Sequence, residues 1–244
     1  MVRRMGTSRT SAGSSTRRVA IGLAAALTLS LGASSAVAQT TDPTTTAPAA
    51  APAPAPVGVA AVRALFDGIP QDGMALGRRS ARATLWQAED PQCPVCREYS
   101  ETAFPRIVRR DVRTGRARVR LVLFPFIGDD SDRAAQFVVA AGRQDRAFQA
   151  LQLLYRNQGD ENSGYVTDAF LQGLATAVGL DVPRVMADMR TPAVAAEVRR
   201  QAAFAEAHGS TGTPTLWTQR PGDRLRQFRN FTDARGISAR LAQR

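Results

Sequence analysis

Apolar and polar positions divide the chain into three stretches of different character. Val19–Leu31 is dominated by apolar side chains, residues 1–18 before it hold five Arg and no acid, and Ala36-Val37-Ala38 follows it. A basic start, a short apolar run and small residues at its end predict a secretory signal peptide over residues 1–38, with an uncleaved signal anchor as the alternative. Thr16-Arg17-Arg18 runs into Val19-Ala20-Ile21, a poor continuation for a twin-arginine signal. Residues 39–57 are Thr, Pro and Ala with a single charge, a composition that buries no core and reads as an extended linker. The remaining residues, 58–244, suit one globular domain.

Within that domain the periodicity changes along the chain. Arg82–Ala88 reads as a short strand ending in the turn Asp90-Pro91-Gln92. Val95, Tyr99, Ala103, Ile107, Val108 and Val112 then recur at helical spacing, so a helix starts at Cys93, with Pro105 predicted to kink it. Arg116–Phe126 alternates Arg with apolar residues and then becomes wholly apolar, as a strand does on entering a buried sheet. Residues 131–208 carry no strand signal. Phe148, Leu151, Leu154 and Tyr155 form one apolar helical stripe; Phe170, Leu171, Leu174 and Val178 form another, closed by Gly179. Thr191-Pro192 opens a further helix that Gly209 ends. Thr215–Thr218 and Arg226–Phe231 read as strands joined by a turn, and Thr232 opens a last helix. The order is a βαβ half and a ββα half, separated by an all-helical insertion over about residues 130–208.

Composition narrows the chemistry. All 32 basic residues are Arg, against 21 acids, for a net charge of +11; without residues 1–38 the charge is +6. The absence of Lys excludes Schiff-base catalysis. With two Cys and one His, no four-ligand Cys/His zinc site fits within the chain. Export implies an oxidising compartment, where a cysteine pair is read differently from one in the cytosol.

That pair is Cys93-Pro94-Val95-Cys96. Two cysteines separated by two residues at a helix start can close a small disulfide ring and reopen it without long-range rearrangement. Unpaired helix N–H groups favour negative charge on the first sulfur, so Cys93 is the expected attacking thiolate and Cys96 the buried partner. A static disulfide is the competing reading, but so small a loop constrains the unfolded chain little. A shared metal site would need ligands from a second chain. Gly212-Thr213-Pro214-Thr215 precedes a strand; beside a strand-turn-CxxC-helix unit, a cis proline there would offer the Thr213 backbone to an extended peptide.

The stretch from Ala83 to Ser100, with D-P-Q-C-P-V-C-R, the G-T-P-T run and the helical insertion between them resemble the DsbA-like thiol:disulfide oxidoreductases of the thioredoxin superfamily, over about residues 65–235. The resemblance implies a thioredoxin fold with a helical cap, Cys93 as nucleophile, Cys96 as its partner and Pro214 in cis. It implies an exported enzyme, on the periplasmic, cell-wall or extracellular side of a bacterial membrane, with oxidase as the leading direction. It further implies client proteins bearing cysteine thiols, a membrane partner that reoxidises the pair, and no metal, nucleotide or flavin. Reductase activity, or a peptide-binding module with little turnover, are the alternatives. No added dimerisation domain is visible, so a monomer is expected. One departure stands out. Such proteins carry a buried acid six residues before the first cysteine, where this chain has Gln87. Glu89, on the same strand face, could substitute, but an ordinary solvated Glu is the plainer expectation. Val95 offers no positive charge to the thiolate, which predicts a milder oxidant than relatives with His between the cysteines.

Other residues draw blander readings. His208 is expected to cap a helix end. Trp86, Phe124, Phe126 and Trp217 are expected in the core. Arg106, Arg109, Arg110, Arg113, Arg116, Arg118 and Arg120 read as a solvated face; without a binding signature, nucleic acid is not an expected partner.

Overall fold

The computed structural model of the chain describes residues 55–243. The segment read as a signal peptide and most of the linker lie outside the described residues. Among the described residues, no helix is long and apolar enough to cross a membrane.

The domain opens with α1 (Val59–Phe66), then two short strands, β1 (Gln71–Asp72) and β2 (Ala75–Leu76), none of which the periodicity foretold. Two-residue strands carry too little pattern to register in sequence. Next come β3 (Ala83–Glu89), α2 (Pro94–Glu101), α3 (Phe104–Ile107) and β4 (Ala117–Leu123). The insertion holds α4 (Asp129–Gly142), α5 (Ala147–Arg156), α6 (Asp168–Val178), α7 (Val182–Asp188) and α8 (Pro192–Ala207). It is followed by β5 (Thr215–Gln219), β6 (Arg226–Phe228) and α9 (Ala234–Ala242). The strands form one sheet in the order β1-β2-β4-β3-β5-β6. β3 and β4 run parallel, and β5 runs antiparallel to β3. This is a thioredoxin-like fold with a helical insertion between its two halves, as the sequence indicates.

Strand alternation sends residues to two layers. Leu85 of β3 faces the main core with Val119, Leu121 and Leu123 of β4, Tyr99 of α2, and Ile237 of α9. Ala88 and Val122 face a smaller cluster with Trp217 and with Ala205 of α8. Gln87 and Glu89 therefore share the main-core face with Leu85, and both are buried.

Helix ends follow the capping residues. Thr191 accepts from the Val194 N–H to open α8, Thr167 accepts from Phe170 to open α6, and Gly179 closes α6 at φ 75°. The helix expected from Cys93 to Val112 is instead broken into three. Proline 105 has no N–H and its ring collides with the carbonyl four residues back, so α2 stops at Glu101. Pro105 then sits in the first turn of α3, where a missing N–H is harmless, and the chain continues as a π-helical turn over Val108–Val112.

Three expectations need correction. The strand expected to reach Phe126 ends at Leu123, because the next residues turn to meet Asp90. Of the four aromatics expected in the core, Trp217 is fully buried, Trp86 and Phe124 are half-buried against the smaller cluster, and Phe126 is 53% exposed. The arginine stretch is not uniformly a solvated face. Arg113 donates to the carbonyls of Leu65 and Asp67 at the end of α1, and Arg120 lies over the Trp86 ring.

Candidate active site

The turn before α2 is built by one carboxylate. Asp90 accepts from the Gln92 N–H (2.8 Å), the Ser131 hydroxyl (2.6 Å) and the Phe126 and Ile127 N–H groups (2.8 and 3.1 Å). Its carbonyl accepts from the Cys93 N–H at 3.0 Å. Those bonds pin the end of β3, the start of α4 and the first cysteine together.

Cys93 occupies the N-cap of α2, with extended backbone, and Pro94 fills the first helical position. The Cys96 N–H points at Cys93 Sγ at 3.4 Å, a donor that a helix start leaves without an intrahelical acceptor. Cys93 retains 5% exposure and Cys96 none, so the first sulfur is the one a reagent can reach. The Cys93 thiol is lowered to about 6, chiefly by the Cys96 side chain acting as donor; burial opposes this, while the Thr213 side chain and the backbone N–H groups of Cys96 and Val95 add to it. Burial pushes the Cys96 thiol well up, and the neighbouring Cys93 and Glu89 push it further. At neutral pH the arrangement holds one thiolate and one thiol.

The Thr213–Pro214 peptide is cis, and the protonated Cys93 thiol donates to the Thr213 carbonyl at 3.5 Å. The fold thus brings residues 120 apart into contact. Ionising Cys93 removes that donor, so the contact belongs to the thiol form alone. The Thr213 hydroxyl is buried without a hydrogen-bond partner, and its side chain favours ionisation of both sulfurs.

Glu89 departs from the expectation of a solvated side chain: it is fully buried. The Tyr155 hydroxyl donates to Glu89 Oε2 at 2.8 Å and lies 3.1 Å from the Asp90 carbonyl, while Glu89 Oε1 has no partner. Burial lifts this carboxyl to about 8, with Tyr155 pulling it down and the Cys93 charge lifting it. Gln87, also buried, accepts from the Tyr99 hydroxyl at 3.2 Å; its amide neither takes up nor releases a proton as an acid or base at neutral pH. In the sequence Tyr155 reads only as part of an apolar stripe. A buried tyrosine in an otherwise non-polar stripe requires a partner for its hydroxyl, and that is the available signal.

His208 lies apart from this constellation. It follows α8 with Nδ1 2.7 Å from the Phe204 carbonyl and its ring against Phe204. That is the capping role expected of it. Among the described residues, no cluster of three or more His, Cys, Asp or Glu is arranged to hold a metal ion.

Comparison with known proteins agrees with this geometry. The family profile described as thioredoxin matches residues 70–219. A probable disulfide bond formation protein D of Bacillus anthracis is 25% identical over 147 residues, covering 59% of this chain and 68% of that protein. The oxidised crystal structure of BdbD from Bacillus subtilis superimposes with a TM-score of 0.61 at 20% identity, over 71% of this chain and 95% of that one. Wolbachia pipientis alpha-DsbA1 gives a TM-score of 0.60 at 14% identity, over 72% and 89%. The chain belongs to the thioredoxin family.

Proposed function

We propose that this chain is an exported oxidase of protein thiols, working through Cys93 and Cys96. A client thiolate attacks Sγ of Cys93 in the oxidised pair; the Cys93–Cys96 bond breaks, a mixed disulfide forms, and the Cys96 sulfur leaves with the electron pair. Cys96 takes up a proton, and Glu89 is the group poised to supply it. A second client thiolate then attacks the client sulfur of the mixed disulfide and expels Cys93 as thiolate. The client gains one disulfide, and the pair gains two electrons. A membrane partner that accepts those electrons completes the cycle, and the enzyme acts as a monomer without metal or organic cofactor.

The carrying observation is the division of the two thiols, Cys93 lowered to about 6 and Cys96 pushed well up. A low-pKa thiol is a good leaving group, and its stabilised thiolate favours the reduced pair, which is the property of an oxidant. The Thr213 backbone beside Cys93 supports strand-like pairing with an extended client segment. Glu89 supports proton exchange through its free Oε1. While Cys93 is a thiolate its charge helps hold the Glu89 proton; once Cys93 is tied into a disulfide that charge vanishes, and the carboxyl gives up its proton more readily. The reading of residues 1–38 as a signal supports action outside the cytoplasm, in the periplasm or cell wall.

The test is oxidative refolding of a reduced client by the stoichiometrically oxidised protein. We expect client disulfides to form with matching loss of the Cys93–Cys96 bond, and none with Cys93→Ala. Rapid reduction of an oxidised client by the dithiol form, without the forward reaction, would instead favour the reductase reading.

A further inference from the structure

The molecule is electrically polar along its strands, and the polarity is set by where strands begin and end. β3 and β4 start side by side, with Ala83 paired to Ala117, β5 ends against them, with Gln219 paired to Thr84, and Arg226 of β6 pairs with Thr218. Arg82, Arg116, Arg220 and Arg226 therefore occupy neighbouring strand ends on one pole. Cys93 and Pro214 lie at the other ends of β3 and β5, about 20 Å away by the rise of a seven-residue strand.

Further arginines join this pole. Arg220, Arg224, Arg226 and Arg240 line a recess of about 150 Å³ in which Asp223 is the single acid. Arg82, Arg224, Arg226, Arg229 and Arg235 are exposed. Among the described residues, Arg82, Arg220, Arg224, Arg226, Arg229, Arg235 and Arg240 make no ion pair with a carboxylate. Asp233, the other acid in this stretch, caps α9 through the Gly236 N–H. The cysteine pole is the reverse. Gln92, the residue before Cys93, exchanges hydrogen bonds with Asn162, which brings Asp160 and Glu161 to the rim of the site. Asp129 and Asp132 join them from the start of α4, and all four are exposed.

We propose that the arginine pole docks on an anionic lipid surface through headgroup phosphates, leaving the Cys93 pole facing water. Guanidinium forks pair with phosphate oxygens two bonds at a time, and several act together without a shaped groove. The acidic rim around Cys93 is repelled by the same surface, so orientation follows from charge alone. Phe228 and Phe231, the aromatics of this stretch, pack on the core and give no stacking platform, which favours a phosphate surface over a nucleic-acid strand. The inference does not depend on the direction of redox flow.

The test is co-sedimentation of the exported chain with vesicles of phosphatidylglycerol and phosphatidylcholine, at about 0.05 M and about 0.5 M salt. Binding is expected at low salt only. Arg224→Gln/Arg226→Gln/Arg240→Gln should weaken it on the order of a hundredfold, at about fivefold per arginine. The charge-matched Arg146→Gln/Arg184→Gln/Arg199→Gln, on the insertion, should stay within about twofold. Cys93 in the vesicle-bound protein should react with a water-soluble maleimide as fast as in free protein. Equal losses in both triple variants, response to inorganic phosphate without vesicle binding, tighter binding to duplex DNA than to vesicles, or protection of Cys93 would each overturn the proposal.

Discussion

Tyr155, on α5 of the helical insertion, donates its hydroxyl to Oε2 of Glu89, at the end of β3, across 66 residues of sequence. The insertion thus supplies the one hydrogen bond that partly compensates a buried carboxyl behind the cysteines. Tyr155→Phe keeps the ring and removes that donor. Since Tyr155 lowers the Glu89 pKa, the carboxyl should titrate higher than about 8 in the variant, and stability should fall by about 1–2 kcal/mol. Carbon-13 titration of a labelled Glu89 carboxyl reads the first effect and urea unfolding the second. An unmoved titration would remove Tyr155 from the site.

Glu89→Gln retains an acceptor for Tyr155 but cannot carry a proton. The folded Glu89 carboxyl holds its proton to about 8, while the unfolded one releases it near 4.5, so folding takes up a proton between those values. The stability Glu89 contributes is complete below about pH 4.5 and is lost as pH rises to about 8. Relative to the parent, the variant should gain about 2–4 kcal/mol between pH 4.5 and 8. It should also slow the exchange steps in which Cys96 gains or loses its proton by about a hundredfold. Denaturant unfolding across pH and stopped-flow mixed-disulfide kinetics measure the two effects. A flat stability difference would mean that Glu89 is charged in the fold.

Thr213→Val replaces an unpartnered buried hydroxyl by a methyl of similar shape. In the thiol form there is no hydrogen bond to lose, so below about pH 6 stability should stay within about 0.5 kcal/mol or rise. The Cys93 thiol should titrate above about 6, because the Thr213 side chain favours its ionised form. The pH dependence of alkylation distinguishes this from a purely structural role, which would leave the profile in place.

A thiol near 6 places the couple between two familiar limits. A pKa of about 7 accompanies about −270 mV in thioredoxin, and about 3.5 accompanies about −120 mV in DsbA. The Cys93/Cys96 couple should lie near about −230 mV, a milder oxidant than DsbA, with Val95→His moving it upward. Equilibration with glutathione buffers measures both, and a value near about −120 mV in the parent would contradict the role assigned to Val95.

Much of this was legible from local chemistry. Cys93-Pro94-Val95-Cys96, the Thr213–Pro214 pair and the helix ends at Gly179 and Thr191 each depend on a few adjacent residues, so the sequence displays them. Glu89 was not legible as a buried acid: what buries it includes α5, far along the chain, and it stands two residues from the position the family pattern favours. Phe126 reads as core by its neighbours, yet the backbone there turns to hydrogen-bond Asp90 and leaves the ring in solvent. The two-residue strands span only one step of alternation, and α1, two turns long, offers only Val62, Leu65 and Phe66 as a buried stripe.

The most direct measurement is the rate of alkylation of the reduced protein against pH, with the modified cysteine identified by mass spectrometry. The account predicts a single inflection near 6 carried by Cys93 alone, with Cys96 silent through neutral pH. An inflection near 9, or equal labelling of both cysteines, would contradict it.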